Sequence, residues 1–285
     1  MTFALRTFLA VVFAAAALPS SCQDSPSEPH SDIHVVILGD SNTWIGGDDS
    51  DKPCGWNKWF ADIFKPATCK SYARSGATWS NTSTTRRNTK EDIGVIGPNN
   101  VIYNQVERLA ESCNSGMQPT PDVIIIAAGT NDAWFVKKRP GVFSKTAAQA
   151  CRMKGTITSL PPNRITSLAE AVVYNTELLR QRFPNARIIL LTPLQSVHPT
   201  EANFARATTI IEECGTLLGL PVVRQDKECC VRRADEARQH RFTSDGTHTS
   251  EEGAKQIGTY LASRIASILN STSETDTQNT TTSNP

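Results

Sequence analysis

Four short apolar runs, rich in β-branched residues, constrain the fold of this chain most strongly. They cover Ile33–Leu38, Asp122–Ala128, Arg187–Thr192 and Pro221–Arg224. The first two are followed by Gly39 and Gly129, and the third is followed by Pro193. Continuous apolar runs that stop at glycine or proline predict strands buried on both faces, as in a parallel sheet.

Segments with helical periodicity separate these runs. Apolar residues recur along one side of Val101–Cys113, Ile165–Phe183, Glu201–Leu218 and Ser250–Leu269. Strands that alternate with amphipathic helices predict a doubly wound α/β layer sandwich. Ligands of such folds bind at the carboxyl ends of the strands. We therefore expect the functional residues directly after each predicted strand.

The amino-terminal end predicts export. Residues 1–21 carry one charged side chain, Arg6, and a short apolar run over residues 7–18. This run is shorter than the roughly 20 residues that a transmembrane helix needs. Small residues before Cys22 predict processing and lipid attachment at that cysteine, as in bacterial lipoproteins, whereas simple secretory cleavage is the alternative. The protein would then be anchored to a membrane in the periplasm or at the cell surface, or be secreted if Cys22 carries no lipid.

The rest of the chain is predicted to form one domain with polar ends. Residues 22–31 are polar and contain proline, which is typical of a tether. Residues 270–285 contain no large apolar side chain and are predicted to be disordered, because they cannot bury enough surface to offset their chain entropy. Residues 32–269 then form a single domain.

Charge and cysteine content exclude several classes of function. The 29 Lys and Arg residues nearly balance the 28 Asp and Glu residues, whereas a general nucleic-acid binder shows a basic excess. We therefore expect no nucleic-acid partner, and membrane contact only through the amino-terminal lipid. The cysteine spacing fits no zinc pattern, and no metal site is expected. Export allows disulfides, and the favoured pairs are Cys54 with Cys69 and Cys214 with Cys229 or Cys230.

Polar motifs follow the predicted strands. The first strand leads into Gly39-Asp40-Ser41-Asn42, which contains neither of the glycine-rich nucleotide-binding patterns. A serine at such a turn exposes its hydroxyl close to backbone N–H groups, which favours a nucleophile, whereas a helix N-cap is the ordinary alternative. Ser41 is therefore a candidate nucleophile.

Two further motifs complete the pattern. The second strand leads into Gly129-Thr130-Asn131-Asp132, and Asp245-Gly246-Thr247-His248 precedes the last helix. The Asn131 amide can donate a hydrogen bond, and the His248 imidazole can accept a proton while Asp245 holds its other nitrogen. Each motif alone also fits an ordinary turn or loop.

Taken together, these motifs resemble the SGNH (GDSL-type) hydrolase family over about residues 33–269. The resemblance implies a three-layer α/β/α sandwich with a mainly parallel, flavodoxin-like sheet, and a reaction without a cofactor. It also implies that Ser41 is the nucleophile, His248 the general base and Asp245 the residue that orients it. The family's glycine block fits Ser75-Gly76-Ala77-Thr78. The oxyanion hole would be the backbone N–H groups of Ser41 and Gly76 and the side-chain amide of Asn131.

Basic and aromatic residues near the motifs bear on the substrate. The stretch from Ala133 to Ala169 contains no Asp or Glu but contains Lys137, Lys138, Arg139, Lys145, Arg152, Lys154 and Arg164. It is either a rim that attracts anionic substrates or a solvated surface loop. Trp44 and Trp134 are expected to line the pocket, whereas Trp56 and Trp59 are expected in the core.

These features predict an exported serine esterase that cleaves a short acyl ester, with an acetyl ester on a carbohydrate as the favoured substrate. A lipase, a thioesterase or an acyltransferase of the same family is the alternative within enzymes. A surface glycan-binding protein that keeps the fold without activity is the alternative outside enzymes. The sequence leaves the oligomeric state open.

Overall fold

The computed structural model describes residues 30–90 and 94–280, with side chains described as far as residue 271. The predicted export signal, Cys22 and residues 22–29 of the tether lie outside the described residues. Within the described ranges, no helix combines the length and the apolar character needed to cross a membrane.

A five-stranded parallel sheet forms the centre of the domain. Its strands are β1 (His34–Gly39), β2 (Thr68–Ser71), β3 (Val123–Ala127), β4 (Arg187–Leu191) and β5 (Val222–Val223), in the order β2-β1-β3-β4-β5. Every adjacent pair is parallel. This confirms the predicted flavodoxin-like sheet, whose ligand crevice lies at the carboxyl ends of β1 and β3, where the strand order reverses.

The predicted strands correspond to β1, β3, β4 and β5, but β2 was not predicted. Its sequence, Thr-Cys-Lys-Ser, lacks a continuous apolar run because β2 lies at the edge of the sheet and is only partly buried. Strand prediction from apolar runs depends on buried side chains, and in β2 only Ser71 is buried.

Helices cover both faces of the sheet. The described helices are α1 (Ser41–Trp44), α2 (Trp56–Phe64), α3 (Ile102–Asn114), α4 (Thr130–Trp134), α5 (Ala147–Cys151), α6 (Leu168–Arg182), α7 (Glu201–Leu218), α8 (Gln225–Glu228), α9 (Arg233–Gln239) and α10 (Glu251–Thr280). Short 3₁₀ turns interrupt the basic segment at Val136–Lys138, Ile157–Ser159 and Pro162–Arg164.

Alternate strand residues serve two separate hydrophobic cores. Val36 and Leu38 face the core shared with α3, α6 and α7, whereas Val35 and Ile37 face the core shared with α2 and α10. All four side chains are fully buried. Burying one such side chain contributes about 1.5–3 kcal/mol. The predicted three-layer sandwich is therefore confirmed, with helices held on both faces by apolar packing.

The carboxyl-terminal helix continues past the predicted end of the domain. Helix α10 runs from Glu251 to Thr280, so residues 270–280 are helical where a disordered tail was predicted. Adding residues to a helix that is already nucleated needs no new nucleus, so a helix can extend past its packed part. Residues 281–285 lie outside the described residues.

The predicted disulfide pairs are not present. The described cysteines are free thiols. Cys214 is buried in the core beside α6, whereas Cys229 is buried in the core on the opposite face of the sheet. The sheet therefore separates these two residues, which sequence spacing cannot show. Cys69 lies on β2 with its thiol beside Ser50, and Cys54 is exposed.

Candidate active site

Ser41 lies at the turn from β1 into α1, and its backbone carbonyl accepts the Ile45 N–H at 3.0 Å. Asp40 is the helix N-cap, because its Oδ1 accepts a hydrogen bond from the Asn42 backbone N–H at 3.2 Å. The alternative in which Ser41 caps the helix is therefore wrong. Within the described part of the chain, neither the backbone N–H nor the Oγ of Ser41 is hydrogen-bonded to another protein group. Buried polar groups are normally paired, so both groups are available to a ligand.

Gln105 fixes the turn that carries Ser41. Its Oε1 accepts a hydrogen bond from the Gly39 N–H at 2.8 Å, and its Nε2 donates to the Gly39 carbonyl at 2.8 Å. A Cβ on Gly39 would lie 2.7 Å from the Ala127 carbonyl oxygen, so no larger residue fits there. The turn is therefore held rigidly between α3 and β3.

Asp245 and His248 form a hydrogen-bonded pair in the loop before α10. His248 Nδ1 lies 2.7 Å from Asp245 Oδ2. The other carboxylate oxygen accepts the backbone N–H groups of Thr247 and His248 at 2.9 and 2.8 Å. Burial raises the pKa of Asp245, but the hydrogen bonds from these N–H groups and from the imidazole outweigh it and hold the pKa below its usual range. The carboxylate therefore stays ionised and orients the ring.

A long-range hydrogen bond joins the serine turn to the histidine loop. Asn42 Oδ1 accepts the Thr249 backbone N–H at 3.2 Å, so the residue after Ser41 contacts the residue after His248. Among the described residues, Ser41 and His248 themselves are not hydrogen-bonded to each other. Catalytic hydrogen bonds are often long before a substrate binds, so this separation is compatible with a nucleophile and its base.

Asn131 lies on α4, directly after β3. Its Nδ2 donates one hydrogen bond to the Ala77 carbonyl at 2.9 Å. A side-chain amide carries two N–H donors, so one remains for a ligand. Because β1 and β3 are neighbours, Asn131 lies at the same edge of the sheet as Ser41.

Gly76 lies in the loop after β2 and has a positive φ of 78°. A Cβ on Gly76 would lie 2.7 Å from Val95 Cγ1 and 2.8 Å from the Ile96 nitrogen, so glycine is required here. Within the described ranges, its N–H has no protein acceptor. The Asn131–Ala77 hydrogen bond brings the residue after Gly76 into contact with the Asn131 amide.

Asp132 holds the Gly76 loop against α4. Its carboxylate accepts the backbone N–H groups of Trp79 and Ser80 at 2.9 and 3.0 Å, and the Ser80 hydroxyl at 2.6 Å. Burial raises the pKa of Asp132, and these hydrogen bonds counteract the increase. Asp132 belongs to the same sequence motif as Asn131, but its role becomes visible only in the folded structure.

The basic residues between Ala133 and Ala169 do not all lie at the surface. Arg139 is buried, with its Nε donating to Thr78 Oγ1 at 3.2 Å and its Nη2 donating to the Gly97 carbonyl at 3.1 Å. Desolvation lowers the pKa of its guanidinium. Arg139 therefore supports the Gly76 loop, whereas Lys137 and Lys138 are exposed.

The tryptophans differ in their surroundings. Trp44 is 45% exposed and lines a cavity of about 500 Å³ together with Asp48, Asp49 and Asp51. Trp134 stacks with Phe135 and with His198. Trp56 is a core residue as predicted. Trp59 is not a core residue, because it is partly exposed and the ammonium groups of Lys58 and Lys255 lie over its ring.

A metal site in the described residues would require a cluster of His, Cys, Asp or Glu side chains. Among the described residues, no group of three or more His, Cys, Asp or Glu side chains is placed to hold a metal ion. The sequence profile of the GDSL-like lipase/acylhydrolase family, a family of hydrolases, matches residues 37–256. The chain therefore belongs to this family, as the resemblance predicted.

Solved structures share the fold at low sequence identity. A protein from Lactobacillus plantarum is 14% identical, with a TM-score of 0.56 over 83% of this chain and 98% of that one. A possible lipase from Chitinophaga pinensis is 15% identical, with a TM-score of 0.51 over 83% and 99%. The acetyl xylan esterase AlAXEase is 14% identical, with a TM-score of 0.50 over 82% and 100%. No curated protein is detectably similar to the chain in sequence.

Proposed function

We propose that the protein is a serine esterase in which Ser41 attacks the acyl carbonyl. The observation that supports the proposal is the Ser41 hydroxyl without a hydrogen-bond partner among the described residues, next to Asn42, whose side chain accepts the N–H of Thr249, the residue after His248. A carboxylate that accepts the Nδ1–H of a neutral imidazole leaves the other ring nitrogen, Nε2, free to accept a proton.

The reaction follows from these positions. His248 removes the proton from Ser41 as Oγ forms a bond to the carbonyl carbon. The negative oxygen is stabilised by the N–H groups of Ser41 and Gly76 and by the second Asn131 amide hydrogen, and one such donor lowers the barrier by about 3 kcal/mol. His248 then protonates the leaving alcohol, which leaves the acyl group on Ser41. Water, deprotonated by His248, releases the carboxylic acid and restores the hydroxyl.

We propose a short acyl group, with acetyl favoured. Val95 and Ile96 lie close to Gly76, one of the proposed oxyanion donors, and their side chains would restrict a long acyl chain on that side. One structure that shares the fold is an acetyl xylan esterase, which supports an acetylated carbohydrate as the substrate. A lipase or thioesterase has a longer acyl pocket, and an acyltransferase differs in the acceptor that replaces water.

A covalent probe and an ester series test this proposal. A fluorophosphonate should label the wild-type protein but not the Ser41→Ala variant. Nitrophenyl acetate should be cleaved faster than the octanoyl or decanoyl ester. A preference for the decanoyl ester would favour the lipase alternative. Labelling that is unchanged in Ser41→Ala, together with binding of glycans but no turnover, would favour the glycan-binding protein.

We also propose that the protein is exported and anchored through lipid on Cys22. The apolar run, the small residues before Cys22 and the polar residues after it support this. The mass of membrane-extracted protein should include the acyl chains, and Cys22→Ala should move the protein to the soluble fraction. A mature protein that begins elsewhere and carries no lipid would contradict the anchor.

A further inference from the structure

His198 lies flat against Trp134 at the carboxyl edge of the sheet. The two ring centroids are 4.3 Å apart, and the planes differ by 3°. Trp134 also stacks with Phe135 at 4.7 Å and 19°. His198 is exposed, whereas Trp134 is only partly exposed. The ring available to a ligand is therefore the imidazole of His198, with Trp134 behind it.

Both rings are attached to elements of the candidate site. Trp134 follows Asn131 by three residues on α4, so both side chains project from the same side of that helix. His198 lies in the loop that follows β4. The Val197 N–H donates to the Gly246 carbonyl at 3.0 Å, and the hydroxyls of Ser196 and Thr247 are hydrogen-bonded at 2.6 Å. The stack therefore joins α4 to the loop after β4, and that loop is hydrogen-bonded to the loop that carries His248.

Arg233, which is not part of the stack, fixes the backbone on both sides of His198. Arg233 Nη1 donates to the Ser196 carbonyl at 2.6 Å and to the Pro199 carbonyl at 2.7 Å, so one guanidinium clamps the chain on both sides of His198. A ring held in this way loses little conformational freedom when a ligand binds, which favours recognition.

The side of the substrate that meets His198 follows from the proposed reaction. His248 protonates the leaving alcohol, so the alcohol must lie beside His248. The His198 loop is hydrogen-bonded to Gly246 and Thr247, two residues of the His248 loop. His198 therefore borders the alcohol side of the site, and the Gly76 loop borders the carbonyl oxygen.

We propose that His198 is the platform for the alcohol part of the ester and that this part is a pyranose ring. The proposal rests on the proposed function. The flat face of a ring packs against the apolar C–H face of a sugar, and the ring nitrogens can hydrogen-bond to its hydroxyls. Trp134 supports His198 rather than contacting the sugar, because His198 covers it.

The first test compares two acetyl esters that differ in the alcohol. We measure kcat/KM by acetate release for monoacetylated methyl glucopyranoside and for ethyl acetate. In His198→Ala, the sugar-to-ethyl ratio should fall about tenfold, chiefly through KM for the sugar ester. His198→Phe should restore most of the ratio, because it keeps a flat ring on Trp134.

His30 provides the matched control. It stacks on Phe64 at 4.0 Å and 16°, but it lies before β1, at the amino edge of the sheet. His30→Ala should leave the ratio unchanged. An unchanged ratio in His198→Ala, or an equal fall in His30→Ala, would overturn the proposal.

Binding without turnover separates this proposal from the proposed function. Calorimetry with the Ser41→Ala protein should show that His198→Ala weakens binding of the monoacetylated glucoside about tenfold. If the fluorophosphonate does not label Ser41, the esterase mechanism fails but this measurement still decides whether His198 binds the sugar. Equal affinity with and without the imidazole would refute the platform.

Discussion

The two sides of the candidate site are built in different ways. On the base side, Asp245 holds His248 through contacts within one four-residue turn. On the side of the proposed oxyanion hole, called here the oxyanion side, Asn131 and Asp132 donate or accept hydrogen bonds at Ala77 and Ser80, which lie more than 50 positions earlier in the chain. A local turn can fix one residue, but donors that follow separate strands must be held in place by buried hydrogen bonds between distant parts of the chain. We expect substitutions on the base side to impair proton transfer directly, and substitutions on the oxyanion side to displace the donor groups.

The largest effect is expected for Asp245→Asn. The amide can still accept hydrogen bonds from the Thr247 and His248 backbone, so the turn should survive. It cannot stabilise a positive imidazole, and it favours the wrong tautomer, so kcat should fall about 10⁴-fold. Steady-state kinetics on nitrophenyl acetate measures this. A loss of less than tenfold in a folded variant would mean that another group orients His248.

Asn131→Ala should lower kcat by roughly 10²–10³, with less effect on KM, because it removes a donor that acts on the transition state. Asn175→Ala is the matched control. Its buried amide also donates to a backbone carbonyl, at 2.8 Å, but within α6 and away from the site. Similar losses of kcat in both variants, or a change confined to KM in Asn131→Ala, would remove Asn131 from the oxyanion hole.

Asp132→Ala tests positioning on the oxyanion side. It leaves the Trp79 and Ser80 donors without an acceptor, and an unsatisfied buried donor costs about 1–3 kcal/mol. We expect kcat to fall about tenfold through displacement of Gly76, with little change in KM. Asp132→Asn should recover part of kcat, because its carbonyl can still accept one of these hydrogen bonds.

The stability of the two Asp132 variants separates positioning from general destabilisation. Urea unfolding should place both below the wild type. A merely structural role predicts normal kcat in the fraction that is folded, at temperatures well below unfolding. If kcat per folded molecule is unchanged in Asp132→Ala, the residue stabilises the fold and does not position Gly76.

The same difference explains which site residues could be predicted from the sequence. The Gly39–Asn42 and Asp245–His248 motifs are short turns directly next to a predicted strand or helix, so the patterns of those elements indicate where the motifs lie. Gln105 is 66 residues from Gly39, and nothing near it in the sequence indicates that its amide is hydrogen-bonded to the Gly39 backbone. His198 likewise lies in a loop with no motif. Arg139 looks like a surface cation in a basic stretch, and only packing reveals that it is buried.

Asp40 lies where the two sides meet, and its ionisation should affect stability. Burial is the main cause that raises its pKa from 3.8 to about 6, and nearby Asp132 adds to the increase, whereas the Asn42 N–H and His248 oppose it. Because the folded-state pKa exceeds the unfolded value, the folded protein holds this proton more tightly. The resulting stability is present below about pH 4 and is lost as the pH rises through about 6.

Asp40→Asn should therefore become more stable than the wild type as the pH rises. Its amide oxygen can still cap α1, and it cannot ionise. The difference in unfolding free energy should grow between about pH 4 and pH 6 and reach about 3 kcal/mol, at 1.36 kcal/mol per unit of pKa. Urea unfolding at pH 4, 5, 6 and 7 measures it. If the difference in unfolding free energy between Asp40→Asn and the wild type does not vary with pH, ionisation of Asp40 does not destabilise the folded protein.

The smallest effect is expected from the exposed lysines after α4. Replacing both Lys137 and Lys138 by Ser should lower kcat/KM about two- to threefold for an acetylated uronic-acid oligosaccharide, and less for a neutral acetylated xyloside. Added salt should reduce the difference, because charges attract over ~8–10 Å at ordinary ionic strength. Arg139 is left in place because it supports the Gly76 loop.

The matched control replaces Arg152 and Lys154, which are also exposed and carry the same charge. Equal losses in both double variants would mean that the domain attracts anions as a whole, and no loss in either would mean that the basic segment is only a solvated loop.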